Sequence, residues 1–355
     1  MKRIKSILLF TLLLFGMMPA MANDGEQKEE GLNIPEIVLE HLADAYEWHV
    51  TSYEGKHLSI PLPVIVRSEQ TGEWLFSTVT PIEEATHEGK TYKGFYLDEE
   101  HHGKIYEKLA DGSSVRPIDL SITMSVCQIW IVVIVLLAIF LSCARWYKKR
   151  DCKSEAPSGF VGAIEMLTMT IHDDLIKSCV GEKYYKPYAP YLLTVFFFIL
   201  TTNMIGLIPI FPGGANVTGN INITLFLALC TMLAINIFAN AHYWKEILWP
   251  EVPGPLKLLM IPIEIFGVFT KPFALMIRLF ANMMAGHAVI LSFTCVIFLG
   301  WSMGVAYGIG LNLFSALMLL FMNCLEVLVA FVQAYVFTLL SAVFIGLAHV
   351  DHHAE

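Results

Sequence analysis

Two apolar stretches of about 40 residues each, 258–299 and 308–348, constrain this chain more than any other feature. A helix of that length reaches roughly 60 Å at 1.5 Å per residue, against a bilayer hydrocarbon core of about 30 Å. Such helices must tilt, kink or project beyond the bilayer. Pro262 and Pro272 offer kink sites in the first of them. Three more apolar stretches precede this pair, near 122–146, 188–208 and 223–244. The composition agrees with a bilayer-embedded chain: 55% hydrophobic and only 15% charged, where a soluble domain carries about a quarter charged residues.

Direction follows from the positions of Lys and Arg. The first stretch ends in Arg145, Lys148, Lys149 and Arg150, and Lys153, Lys177, Lys183 and Lys186 follow. The loop at 209–222 is uncharged, the next holds Lys245 and Lys257, and the connector near 300–307 again has no Lys or Arg. Basic residues mark the cytoplasmic side. Five crossings with the N-terminus outside and the C-terminus inside satisfy this alternation. The expected fold is an all-α polytopic membrane protein with two long tilted C-terminal helices. Its parts are a first membrane helix at 121–147, a cytoplasmic loop at 148–187, a membrane domain at 188–348 and a cytoplasmic tail at 349–355. Within the loop, residues 160–180 have helical apolar spacing and are expected to lie along the membrane surface as an amphipathic helix. Pro209, Pro212, Gly213 and Gly214 end the second crossing.

The N-terminal third is different. Residues 1–22 join a basic start (Lys2, Arg3, Lys5) to a short apolar run and a small-x-small site at Ala20 and Ala22. This is the layout of a signal peptide, the other reading being an uncleaved anchor. Residues 23–120 then form a small exported region carrying 20 acids against 8 Lys and Arg. It opens on a loose acidic stretch, Asp24 to Glu30, and has β signals at 58–66 and 74–80. It holds none of the seven cysteines, so no disulfides staple it. His101 and His102, adjacent and without partners at ligand spacing, read as solvated loop residues. No basic stripe for nucleic acid, no HExxH, no GxSxG and no phosphate loop occurs, and no cofactor is expected.

Ionisable residues inside the long stretches demand an explanation, since one at the membrane centre costs about 2.5–3.5 kcal/mol. The fourth stretch has Glu264, Lys271, Arg278 and His287; the fifth has Glu326 and Gln333. Glu264, Lys271 and Arg278 recur every seven residues and share one helix face, which Ala281, Asn282 and Ala285 continue. The small alanines admit a close neighbour. Lys271 can snorkel to the cytoplasmic edge, whereas Arg278 lies too deep. In an antiparallel pair, residues of equal depth share one index sum. The pairs 278/333 and 287/326 nearly do, which places Gln333 level with Arg278 and Glu326 level with His287. A carboxyl beside an imidazole in low dielectric can exchange protons near neutral pH. A permanent guanidinium cannot. It attracts a passing carboxylate, favours loss of that group's proton and repels free protons.

At KPFALMIRLFANMMAGH (271–287) and EVLVAFVQAYVF (326–337) the sequence resembles the subunit a family of F-type ATP synthases, with TTNMIGLIPI (201–210) as a third signature. The resemblance covers about 120–350. It implies a proton-translocating stator subunit beside a ring of carboxyl-bearing c subunits, held by the b-subunit peripheral stalk in a bacterial inner membrane. Arg278 matches the family's essential arginine, and Asn282 and Gln333 match polar residues near it. His287 and Glu326 match the acid–histidine pair of the periplasmic half-channel, with acid and histidine exchanged between the two helices. Glu264 matches an acid near the cytoplasmic exit, and Asn203 a polar residue of the second span. Two positions depart from the family pattern: Ala281 stands for a common Gly, and Gly206 for an Asp of some members. The other readings are a self-contained channel or transporter, for which no internal repeat is found, and a membrane enzyme, for which no motif is found.

Overall fold

A computed structural model describes residues 44–53, 56–98, 103–109, 113–150, 156–208, 213–250, 252–302 and 305–349. The leader at 1–22, the acidic stretch at 24–30, His101, His102, Cys152, Pro209, Pro212 and the tail beyond His349 lie outside the described residues. The chain divides into two units. One holds residues 45–123 and the other runs from Met124.

The first unit is built from short antiparallel strands. β1 (Glu47–Tyr53) pairs with β2 (Lys56–Pro61). β3 (Pro63–Arg67) lies between β4 (Trp74–Thr78) and β8 (Ile118–Asp119). β6 (Lys104–Lys108) lies between β5 (Phe95–Asp98) and β7 (Ser114–Val115). The β signal at 58–66 is divided between β2 and β3. That at 74–80 gives β4 and then helix α1 (Thr80–His87), which begins with Pro81 in its first turn. Period-two alternation sets the core: Val64 and Val66 point inward from β3 between exposed Pro63 and Arg67. Leu75, Ile82, Phe95 and Ile105 join them. The buried Glu107 carboxylate accepts from Ser68 Oγ and from the Glu69 amide at 2.7 Å. Burial first, and hydrogen bonding to the Asp119 carboxylate second, hold the Tyr46 hydroxyl protonated far above its ordinary range.

The second unit is helical. α2 is Met124–Lys149, and α3 is Gly159–Met169. α3 runs on through a π-helical segment Thr170–Lys177 and a last turn Ser178–Val180. α4 is Tyr185–Gly206, α5 Ile221–Ile237, α6 Ala241–Leu248, α7 Gly254–Ser302 and α8 Val305–Leu347. Among the described residues four helical segments are long and apolar enough to cross a bilayer: Met124–Lys149, Tyr185–Gly206, Leu256–Gly300 and Gly308–Leu347. α7 and α8 have 49 and 43 residues, roughly 70 and 65 Å long. Pro262 and Pro272 both lie within the continuous α7.

One expectation needs correction. The stretch 223–244 is not one helix: α5 ends at Ile237 after 17 residues. The Asn240 amide donates to Ala348 O at 3.2 Å and its side chain to His349 O at 3.4 Å. Asn240 therefore serves the orphan carbonyls at the end of α8, which any helix must satisfy, rather than continuing α5. The segment 160–180 is helical and buries one face against the bundle. Ile171, Leu175, Ile176 and Val180 enter one core with Leu192, Phe196 and Ile199 of α4 and Phe337, Ala342 and Ile345 of α8. Gly346 permits this approach, because a Cβ there would collide with Cys179 O.

Candidate functional site

α7 and α8 form the antiparallel pair that carries most of the intramembrane ionisable groups. One register is visible at three levels. At one end the Lys271 ammonium lies 5.7 Å from the centre of the Phe344 ring. In the middle, His287 Nδ1 and Glu326 Oε1 are hydrogen bonded at 2.6 Å. At the other end, a Cβ on Gly300 would collide with the Asn312 side chain. The two residues placed at one level by the index argument therefore do meet.

The pair is enclosed. Glu326 is 4% exposed, the His287 side chain is 14% exposed, and Glu326 Oε2 is buried with no partner among the described residues. Gly286 makes the room, since a Cβ on it would stand 2.8 Å from Glu326 Oε1 and 3.2 Å from Cδ. No sequence signal short of this long-range contact marks Gly286. Gly286→Ala is expected to lower stability by about 1–3 kcal/mol through overpacking. The reference is Gly267→Ala on the same helix, where nothing lies within 4 Å of the added methyl. Thermal unfolding of the detergent-purified chain measures both. Equal melting temperatures would show that Glu326 moves aside freely.

The other face of α7 is open. Arg278, Ala281, Asn282 and Ala285 are all exposed, while Leu275, Met276, Leu279 and Met283 of the same turns are buried against the bundle. No hydrogen bond or ion pair joins Arg278 or Asn282 to another described residue. Glu264 and Lys271 are half-buried rather than fully on this stripe. A straight α-helix drifts about 20° per seven residues, which turns them progressively off it. Glu264 lies close enough to α6 that its charge, after burial, raises the Tyr243 hydroxyl above its ordinary value.

Gln333 is 7% exposed and makes no hydrogen bond to Arg278, so the equal depth of the two does not bring them together. Asn203, on α4, is 1% exposed. Its Oδ1 accepts from Thr218 Oγ1 at 2.7 Å, and its Nδ2 donates to Ala330 O at 3.5 Å. Ala330 is one turn beyond Glu326, so Asn203 approaches the same length of α8. Thr218, in the uncharged loop, was not among the residues singled out from the sequence. Among the described residues no group of three or more His, Cys, Asp or Glu could hold a metal ion.

The unit holds a buried acid–imidazole pair on one side of a helix and presents, on the other, a cation with no partner among the described residues. Comparison with known proteins gives this arrangement a context. Residues 126–346 match the family described as ATP synthase A chain, and residues 37–120 match a domain of unknown function. The chain is similar to ATP synthase subunit a of Chlorobium phaeobacteroides, at 47% identity over 66% of this chain and 69% of the relative. It is 46% identical to ATP synthase subunit a 2 of Prosthecochloris aestuarii, over 67% and 72%. Its likeness to ATP synthase subunit a of Anaeromyxobacter dehalogenans is 34% but spans 96% of this chain and 85% of that one.

Proposed function

From the premise that this chain belongs to the ATP synthase A chain family, we propose that it works as the stator of the proton-driven rotor in the membrane sector. As a multi-pass subunit of that complex it stands beside a c-subunit ring, with the b-subunit stalk holding it against torque. It lies in a bacterial inner membrane. Residues 1–22 are its signal peptide, residues 23–120 are exported, and the C-terminus is cytoplasmic. α5 is the third of five crossings. Its 17 residues reach about 25 Å, close to the hydrocarbon thickness.

The observation that carries this reading is the open stripe around Arg278, lined by small residues and set back to back with the buried His287–Glu326 pair. A guanidinium with no partner among the described residues, set in an apolar surface, is costly. A neighbour that brings a carboxylate to it removes that cost. Ala281 and Ala285 let such a neighbour come close. Each ring carboxyl reaching Arg278 loses its proton, because the fixed cation favours the ionised form. That proton leaves toward the cytoplasm past Glu264. After passing Arg278 the carboxylate is reprotonated from the exported side, through Asn203, His287 and Glu326. Gln333 and Asn282 keep the carboxylate's path polar. Free protons do not jump between the two half-channels, because the guanidinium repels them. Flow therefore requires rotation.

A self-contained channel makes the opposite prediction about the isolated chain. In vesicles under an imposed proton gradient, the purified chain alone is expected to conduct at the background rate, and the whole membrane sector well above it. A purified chain that conducts as fast as the sector would refute the stator reading.

A further inference from the structure

The first unit carries none of the groups assigned to the proton path, yet one of its surfaces lacks a cover. The inner side of the sheet β4-β3-β8 is filled by Val64, Val66 and Leu75. The strand register sets the outer side. Phe76 lies opposite Ile65, and Trp74 and Ile118 flank Arg67. Directly opposed residues point to the same face, as do residues two apart on a strand, so Leu120 joins them. Trp74 is 45% exposed, Phe76 71%, Ile118 47% and Leu120 61%. Scattered apolar residues are ordinary on a protein surface, but a contiguous patch of large ones marks a contact with protein or membrane.

Charge and chain connection select between these. Residues 23–120 hold 20 acids against 8 Lys and Arg. None of those acids stands at the outward positions of the three strands, where Arg67 is the one charge. Asp119, between Ile118 and Leu120, turns to the other side and accepts from Tyr46. The Arg67 guanidinium lies 6.0 Å from the centre of the Trp74 ring. A second copy meeting this face with its own would bring cation toward cation, with no acid to pair either. The chain also stays on the sheet until it enters the membrane helix. The Ile122 amide donates to Pro63 O at 3.0 Å, so Thr123 alone separates these hydrogen bonds from α2. Two residues reach at most about 7 Å. The 26 residues of α2 reach about 39 Å, nearly the full bilayer with its headgroup layers. With basic Lys148 and Lys149 at the cytoplasmic end, Met124 falls in the outer headgroup layer.

We propose that the outer face of this sheet docks on the outer leaflet of the membrane that α2 crosses. The proposal rests on the exported placement of residues 23–120. Trp74 and Phe76 enter the headgroup layer, where an aromatic side chain keeps its apolar body out of water. Arg67 meets lipid phosphate. Anionic headgroups repel the acids elsewhere in the region, which favours the acid-free face over the others. The first crossing is thereby braced at its outer end.

The test uses the full chain, its seven native cysteines replaced by serine, in vesicles of phosphatidylcholine and phosphatidylglycerol. Thr78→Cys, exposed on the outer face, carries a bimane fluorophore. Glu84→Cys is the reference, exposed on α1, which covers the inner side through Ile82. Lipid nitroxide is expected to quench the first site several-fold more than the second, and aqueous iodide the reverse. Adding Trp74→Ser and Phe76→Ser, both at exposed positions, is expected to lower the docked-to-free ratio about tenfold, equivalent to about 1.4 kcal/mol. Equal iodide quenching at the two sites would leave the face in water and overturn the proposal. Protection of Thr78→Cys from both quenchers would mean a protein cover, such as a second copy, and overturns it too. Export is checked separately: in intact spheroplasts an impermeant thiol reagent should label Glu84→Cys. Failure there sinks the exported placement itself, so the two failures are distinguishable.

Discussion

Replacing Arg278 by Ala is expected to abolish proton-driven ATP synthesis in membranes that contain the whole complex. The magnitude can be bounded. A guanidinium and a carboxylate about 4 Å apart attract by roughly 4 kcal/mol at an effective dielectric of 20. Removing that term from the step that strips the proton off each ring carboxyl slows it by about a thousandfold. Nothing nearby substitutes. Lys271 is about two turns away and its ammonium lies 5.7 Å from the centre of the Phe344 ring. The loss should also uncouple what remains. Without a fixed cation, protons can pass between half-channels, so passive leak persists while synthesis stops. Arg278→Lys keeps a charge but not the planar fork and is expected to restore synthesis only in part. Synthesis and leak are measured on the same vesicles. Normal coupled synthesis by Arg278→Ala would remove the residue from the mechanism.

The second large effect concerns the enclosed pair. Glu326→Gln preserves shape and a hydrogen bond to His287 but cannot release a proton. Passive proton uptake through the assembled membrane sector is expected to fall about a hundredfold, the lower end of what a positioned acid–base group contributes. His287→Gln should act in the same direction, since the two share one hydrogen bond at 2.6 Å. The double variant should then be little worse than either single one, because partners in one relay are not additive. Unchanged uptake in Glu326→Gln would take this carboxyl off the path.

Much of this was legible in the sequence because it rests on local rules. Apolar runs located the long helices to within a few residues, and helical spacing put Arg278, Ala281, Asn282 and Ala285 on one exposed face, though Glu264 and Lys271, joined to it by the seven-residue spacing, are half-buried. Antiparallel arithmetic matched His287 with Glu326 although acid and imidazole have traded helices. What was not legible depends on distant contacts. Nothing in Ile237, Phe238 and Ala239 stops a helix. α5 ends there because Asn240 serves carbonyls at residues 348 and 349, more than a hundred positions away. Gly286 looks like any helix glycine until Glu326 is placed against it. Gln128 reads as an ordinary polar residue in the first crossing until the loop at Ala215 folds back onto it. Gln333 shows the limit of depth arguments. Its level was given by the index sum, but which way it faces was set by packing.

The most direct measurement asks what Arg278 faces. Asn282→Cys, one turn from Arg278 on the exposed stripe, can carry a thiol-linked benzophenone in the assembled complex. After irradiation, mass spectrometry is expected to find the chain joined to a ring subunit that carries a membrane carboxyl. Adducts with lipid alone, in a complex shown to be intact, would mean that the stripe faces hydrocarbon and that no rotor passes Arg278.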